Sequence, residues 1–159
     1  MKLDKTDVKI LKILQTDGRI TNAALAQKIG ISPPPTLDRV KKLEQKKIIK
    51  KYVALVNPAD VGVETFTFVE VTLLRHGKKT ISEFLASVMK IKEVMECHHV
   101  TGDADFMLKI AARNIPAYEE IVLHRLTELP HIQQLKTMVV LSTTKCETAL
   151  DIELPRKGT

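Results

Sequence analysis

Tryptophan is absent from the 159 residues, aromatics make up only 4%, and the two cysteines are Cys97 and Cys146. With so few rings, any core in a chain that is 44% hydrophobic has to be aliphatic. Two cysteines without C-x-x-C spacing supply neither a disulfide framework nor a zinc site of that kind. No apolar run approaches the roughly 20 residues of a membrane-spanning helix. The opening MKLDKTD also lacks the apolar core of a secretory signal. A cytoplasmic protein with no membrane partner is the expectation. Internal repeats and low-complexity segments are missing too.

Catalytic constellations are equally scarce. Cys97, His98 and His99 adjoin, but neighbours in a strand point to opposite faces, so Cys97 and His98 cannot form a nucleophile–base pair there. His99 can share a face with Cys97, yet no third orienting group accompanies them. His76, His124 and His131 are scattered, which leaves no metal-ligand set. The chain is read as neither an enzyme nor a binder of metal or cofactor.

What the sequence does have is positive charge, unevenly placed. Residues 1–60 carry 13 Lys/Arg against 6 Asp/Glu, and residues 61–159 carry 12 against 13, so the whole excess of +6 sits in the first third. A basic module for a polyanion, joined to a module with another task, is the natural reading. Three helical patterns fill the basic third. In LDKTDVKILKILQTDGR, Asp4 reads as N-cap with Asp7 three residues on, and Leu11 and Leu14 share a face flanked by Val8 and Ile10. In TNAALAQKIG, Thr21 is the N-cap, Leu25 and Ile29 point inward, and Gly30 is the left-handed stop. Two short helices joined by a tight turn make a helix-turn-helix candidate.

The third helix begins at SPPPTLDRVKKLEQ. Prolines in a first turn forfeit no helix hydrogen bond, because those N–H groups have no intrahelical acceptor. They also remove the donors that Ser32 would cap, so its hydroxyl is left for an outside partner. Thr36, Val40 and Leu43 share one face with Leu37 at its edge. Pro35, Asp38, Lys42 and Gln45 lie opposite, with Arg39 and Lys46 beside them. A helix with a polar, mostly cationic outer face suits a DNA major groove. Candidate DNA-binding residues are Thr21, Ser32, Pro34, Pro35, Asp38, Arg39 and Lys42. Arg39 and Lys42 are placed on bases or phosphates, Thr21 on a phosphate, and Ser32 with the prolines at the groove edge. Asp38 either accepts from a cytosine amino group or pairs with Lys42 four residues on, the second being favoured. Arg39→Ala is expected to weaken operator binding and leave the fold intact.

After a short strand and linker at 48–61, broken at Asn57-Pro58, the composition shifts. VGVETFTFVEVTLL alternates as a strand, TISEFLASVMKI places Ile81, Phe84, Leu85 and Val88 at helical spacing, and VMECHHVT and FMLKIAA flank a tight GDAD turn. NIPAYEEIVLHRLTELP reads as a helix capped by Asn114 and stopped by Pro130, and HIQQLKTMVVLS as the last main strand. The order β-α-β-β-α-β is the ferredoxin-like split motif. The fold class is therefore α+β: a winged-helix-like helix-turn-helix domain at 1–52, a linker at 53–62, and an αβ sandwich at 63–159 for sensing and self-association. The tail TTKCETALDIEL is a candidate edge strand. On pattern alone GDAD is an ordinary hairpin turn. Yet Gly102 permits close approach to the main chain, Asp105 can pair with an ammonium, and free turn N–H groups can hold a carboxylate.

The whole chain resembles the leucine-responsive/asparagine-regulator (Lrp/AsnC) family of bacterial and archaeal transcription regulators. The likeness runs from LDKTDVKILKILQTDGRIT through LAQKIGISPPPTLDRVKKLE, YVALVNPADVG and CHHVTGDADFMLKI to YEEIVLHRLTELPHI, covering nearly all of residues 3–142. It implies sequence-specific binding to double-stranded DNA, control by a small amino acid, and homodimers that assemble further, often to octamers. It places the effector between subunits, around Thr101, Gly102, Asp103 and Asp105, with Asp105 on the amino group and His99, Met138 and Val140 near the effector's side chain. Such a protein would be associated with the nucleoid. Two positions depart from the family pattern: Ala104 replaces a bulky residue, and Lys47 replaces the glycine that usually closes the recognition helix. The alternative is an effector-independent architectural DNA-binding protein in which the loop is a plain turn. A third reading, an amino-acid-binding subunit that acts on an enzyme, is opposed by the basic helix face.

Overall fold

The structure, a computed structural model that describes residues 3–75 and 77–154, begins where the capping signals put it. Helix α1 (Lys5–Thr16) opens on a reciprocal box, in which the Asp7 N–H donates to the Asp4 carboxylate at 2.8 Å and the Asp4 N–H donates to the Asp7 carboxylate at 3.1 Å. Helix α2 (Asn22–Ile29) opens on Thr21, whose oxygen accepts from the Ala24 N–H at 3.2 Å. It closes at Gly30, whose φ of +80° only glycine adopts without strain. Helix α3 (Pro33–Gln45) carries the three prolines in its first turn and makes its first backbone bond from Thr36 to Ser32, at 3.4 Å. Ile10, Leu11, Leu25, Ile29 and Leu43 form the core between these helices.

Two expectations about the flanks of this unit fail. Residues 50–56 form no strand, because the apolar run YVALV pairs with no strand among the described residues. Nor does the tail become an edge strand of the sandwich domain. The chain divides at Val56 and Thr144, and the described residues from Lys145 on belong with the helical unit. There the Gln15 side-chain amide and the Leu150 backbone exchange two hydrogen bonds at 2.9 and 2.7 Å, Lys12 reaches Asp151 at 3.4 Å, and Ile152 packs against the helical core.

The second unit, Val56–Thr144, enters through a short 3-10 turn (Ala59–Val61) and then runs β1 (Thr65–Leu73), α4 (Lys78–Val88), β2 (Val94–His99), β3 (Phe106–Ala112), α5 (Ile115–Ile121) and β4 (Ile132–Val139). All neighbours in the sheet are antiparallel, in the order β2-β3-β1-β4, the ferredoxin-like arrangement. Period-two burial in β1 and β3 turns Val69, Val71, Leu73, Phe106, Leu108 and Ile110 toward the helices. Phe84 from α4 meets Phe106 with ring centroids 4.8 Å apart. Leu85, expected inward, is exposed, because Phe84 and Val88 already fill that side of α4. The last helix also departs from a uniform α pattern. After Ile121 it widens into a π turn (Val122–Leu126), where the Thr127 N–H bonds to Val122 at 3.1 Å.

The sheet face away from the helices carries Phe66, Phe68, Glu70 and Thr72 from β1. Met107 and Lys109 of β3 lie beside them, as do Lys136 and Met138 of β4 by register. Phe68 and Met138, directly paired, are more than a third exposed.

Candidate nucleic-acid interface and ligand loop

In α3 the inner face is made by Thr36 and Leu43, both fully buried, with Val40 packed beside them. Pro33, Pro34, Pro35, Leu37, Asp38, Lys41, Lys42, Gln45 and Lys46 are exposed. Ser32 makes no capping bond, as its proline neighbours dictate. Thr21 is exposed and its oxygen is used as a cap, which leaves its hydroxyl proton to donate outward. Asp38 and Lys42 form no ion pair, so the favoured internal pairing of Asp38 does not occur. Both side chains face solvent independently.

Arg39 differs from the other cations of this helix. Its Nη1 donates to the Asp4 carboxylate at 2.6 Å and to the Asp7 carboxylate at 2.8 Å. Asp7 is almost wholly buried, with side-chain exposure of 4%. Hydrogen bonds from Asp4 first, then Asp7, raise the Arg39 pKa, and the Asp7 N–H followed by Arg39 holds the Asp4 carboxyl below its ordinary value. The guanidinium is thus a clasp between α3 and the capping box of α1. Arg39→Ala is therefore not the fold-neutral change the sequence suggested. Asn22 is a second brace that sequence reasoning missed. Its Nδ2 donates to the Pro33 carbonyl at 2.8 Å, tying α2 to the first residue of α3, while its Oδ1 is buried without a partner. No local pattern marks either contact.

In the sheet unit, the expected tight turn is a six-residue loop, 100–105, between the paired residues His99 and Phe106. The Val100 N–H donates to the Asp105 carbonyl at 3.0 Å and closes it. Asp105 pins the loop to β1: its N–H donates to the Val71 carbonyl at 2.9 Å, and its Oδ2 accepts from the Leu73 N–H at 2.8 Å. Gly102, at φ +120°, takes a conformation that suits glycine. Thr101, Asp103 and Ala104 line a cleft of about 340 Å³ with Val100, Glu70, Met107 and Lys136. Lys136 and Glu70 meet across β4 and β1 at 3.1 Å.

Within one chain the expected effector residues do not all share one side of the sheet. His99 pairs with Phe106 and stacks on its ring with centroids 4.9 Å apart, which puts it on the helix side of the sheet. Met138 pairs with Phe68 on the other side, and Val140 continues that face, its N–H donating to the Phe66 carbonyl at 2.9 Å. His99 therefore lies across the sheet from Met138 and Val140. Glu70 and Lys136 were missed, although opposite charges at polar positions of two alternating strands are the kind of signal that registered strands produce. Among the described residues no cluster of His, Cys, Asp and Glu is able to hold a metal ion. His76, one of the scattered histidines, lies outside the described residues. No helix is long and apolar enough to cross a membrane.

Comparison with known proteins places both units. The family model described as winged helix-turn-helix DNA-binding matches residues 3–50, and that of the Lrp/AsnC ligand binding domain matches residues 67–150. The leucine-responsive regulatory protein of Salmonella typhimurium is 39% identical over 151 residues, spanning 95% of this chain and 92% of that one. Its Escherichia coli K12 counterpart is 38% identical over the same shares. Among solved structures, a transcriptional regulator from Neisseria meningitidis in complex with L-Met superposes with a TM-score of 0.89 at 37% identity, covering 94% of this chain and 97% of that one. E. coli AsnC superposes with a TM-score of 0.86 at 28% identity, covering 93% and 98%.

Proposed function

The chain belongs to the Lrp/AsnC family of transcription regulators, and from that premise we propose how this DNA-binding regulator divides its work. Helix α3 enters the major groove with Pro35, Asp38 and Lys42 outward and Lys46 alongside. Thr21 and Ser32 meet phosphates at the groove edge beside Pro34, and Arg39 holds the helix in place from behind. The observation that carries this reading is the sidedness of α3: Thr36 and Leu43 are sealed, while its lysines and its capless proline start face outward. The effector is a small free amino acid, a reading supported by the complex of the Neisseria regulator with L-Met. It binds at the 100–105 loop, with Thr101, Gly102 and Asp103 on its polar groups and the Glu70–Lys136 pair on the cleft wall. Asp105 shapes that loop and lies next to the ammonium position. The open sheet face, with Phe66, Phe68 and Met138, joins two copies, and dimers assemble further, to an octamer. The protein works in the cytoplasm on the nucleoid.

Lys42→Ala tests the groove contact. Affinity for a genomic binding site should fall about fivefold, and the slope of log affinity against log salt should shrink by about one phosphate's worth. An unchanged slope removes Lys42 from the interface. Calorimetry of the whole protein against the twenty common amino acids separates the regulator from the architectural alternative. Heat from none of them would favour the latter.

A further inference from the structure

The sheet unit has a second cavity, at the opposite end of β3 from the 100–105 loop. It is open to solvent, has a volume of about 590 Å³, within the range of small-molecule sites, and shares no residue with the loop cleft. Its walls combine Glu93, Arg113, His124 and Arg125 with an aliphatic side that includes Ala111 and Ile121. One Glu93 oxygen, Oε2, is shut off from water and has no hydrogen-bond partner. A carboxylate with one oxygen already out of water gains more from a cation arriving at its other oxygen than a fully solvated one does. The Glu93 main chain is fixed, its carbonyl accepting from the Ala111 N–H at 3.0 Å. Arg113 and Arg125 are exposed and form no ion pair with any described residue. His124 and Arg125 sit in the π turn, a distortion of helices found frequently at functional sites. His124 is held at the rim by Glu120 at 3.2 Å.

We propose that this cavity is a second ligand site for a small zwitterion with an aliphatic side chain, its ammonium on Glu93 and its carboxylate between Arg113 and Arg125. The inference does not depend on the loop being the effector site, since the two sites share no residue.

Full-length protein is titrated with L-leucine, L-valine and L-methionine, following backbone amides by NMR. At least one of the three should shift the amides of 111–113 and 120–125. Isopentylamine and isovalerate, which each lack one of the two charges, should bind at least tenfold more weakly. Glu93→Gln, and separately Arg113→Ala with Arg125→Ala, should abolish those shifts, whereas the loop variant Asp103→Ala should retain them. The proposal is overturned if none of the three amino acids moves these amides. It is likewise overturned if Glu93→Gln binds as the wild type does, or if Asp103→Ala alone removes the signal. DNA binding, measured in parallel, reports on the groove reading independently.

Discussion

Among the described residues, the apolar cluster of the helical unit has five buried members, Ile10, Leu11, Leu25, Ile29 and Leu43, whereas that of the sheet unit has fourteen, Phe84 and Phe106 among them. The smaller unit also carries the charge, and it compensates for a thin core with polar devices: a reciprocal capping box, the Arg39 clasp, the Asn22 brace and a strapped tail. The sheet unit rests on registered strands and a larger apolar core, with polar pairs such as Tyr118–Thr137 and His131–Glu83 added to them. A helix whose outer face carries exposed lysines can bury only its other face, so the apolar contacts of Thr36 and Leu43 are supplemented by the polar clasp of Arg39. That difference predicts separate sensitivities.

The largest effect should come from the sheet. Phe106→Ala removes a fully enclosed ring that touches both Phe84 and His99, and should cost about 4 kcal/mol. Hydrogen exchange should show amides of 65–73 and 106–112 losing protection while those of α1 and α3 keep theirs. Equal loss in both regions would mean that the two units do not hold themselves up by different means.

Next in size is Arg39→Ala, which leaves the buried Asp7 carboxylate without its cation and should destabilise the helical unit by about 2 kcal/mol. Here the amides of α1 and α3 lose protection and the sheet does not. Because the folded Asp4 pKa lies below its ordinary 3.8, its contribution is complete above that value and disappears as pH falls through the depressed one. The part of the difference between wild type and variant that Arg39 contributes through Asp4 should therefore close in acid. Arg39→Lys should recover part of the stability, since an ammonium keeps the charge but not the planar donor fork. A variant as stable as the wild type at pH 7 would return Arg39 to the list of groove contacts.

What was readable in the sequence divides along the same line. The caps at Asp4, Thr21, Gly30 and Asn114 were visible because each is a contact within a few residues. The element order β-α-β-β-α-β followed from period-two and helical patterns. The clasp of Arg39 on Asp4, the exchange between Gln15 and Leu150, and the Glu70–Lys136 pair link residues far apart in the chain, so nothing local announces them. His99 shows the same limit within one strand. Alternation says that it opposes His98, but only the register with Phe106 tells which of them faces the helices. YVALV reads as a strand by composition, and composition does not supply a partner.

The smallest expected effect, and the one that isolates backbone from charge, is at Lys47. It stands in the left-handed region, at φ +54°, where the chain closes α3 with a Schellman pair: the Ile48 N–H on the Leu43 carbonyl at 2.9 Å and the Lys47 N–H on that of Glu44 at 2.8 Å. A side chain there sets Cβ against its own carbonyl, and glycine relieves this at the expense of a more disordered unfolded chain. The net gain for Lys47→Gly should be about 1 kcal/mol, a rise of several degrees in the melting of the helical unit. Lys47→Ala removes the same charge but keeps the strained Cβ, so it should melt where the wild type does. Asparagine, which tolerates this conformation better than alanine, should fall between them. If glycine and alanine variants melt together, the positive φ carries no cost, and the clasp and caps rather than the helix end limit the stability of this unit.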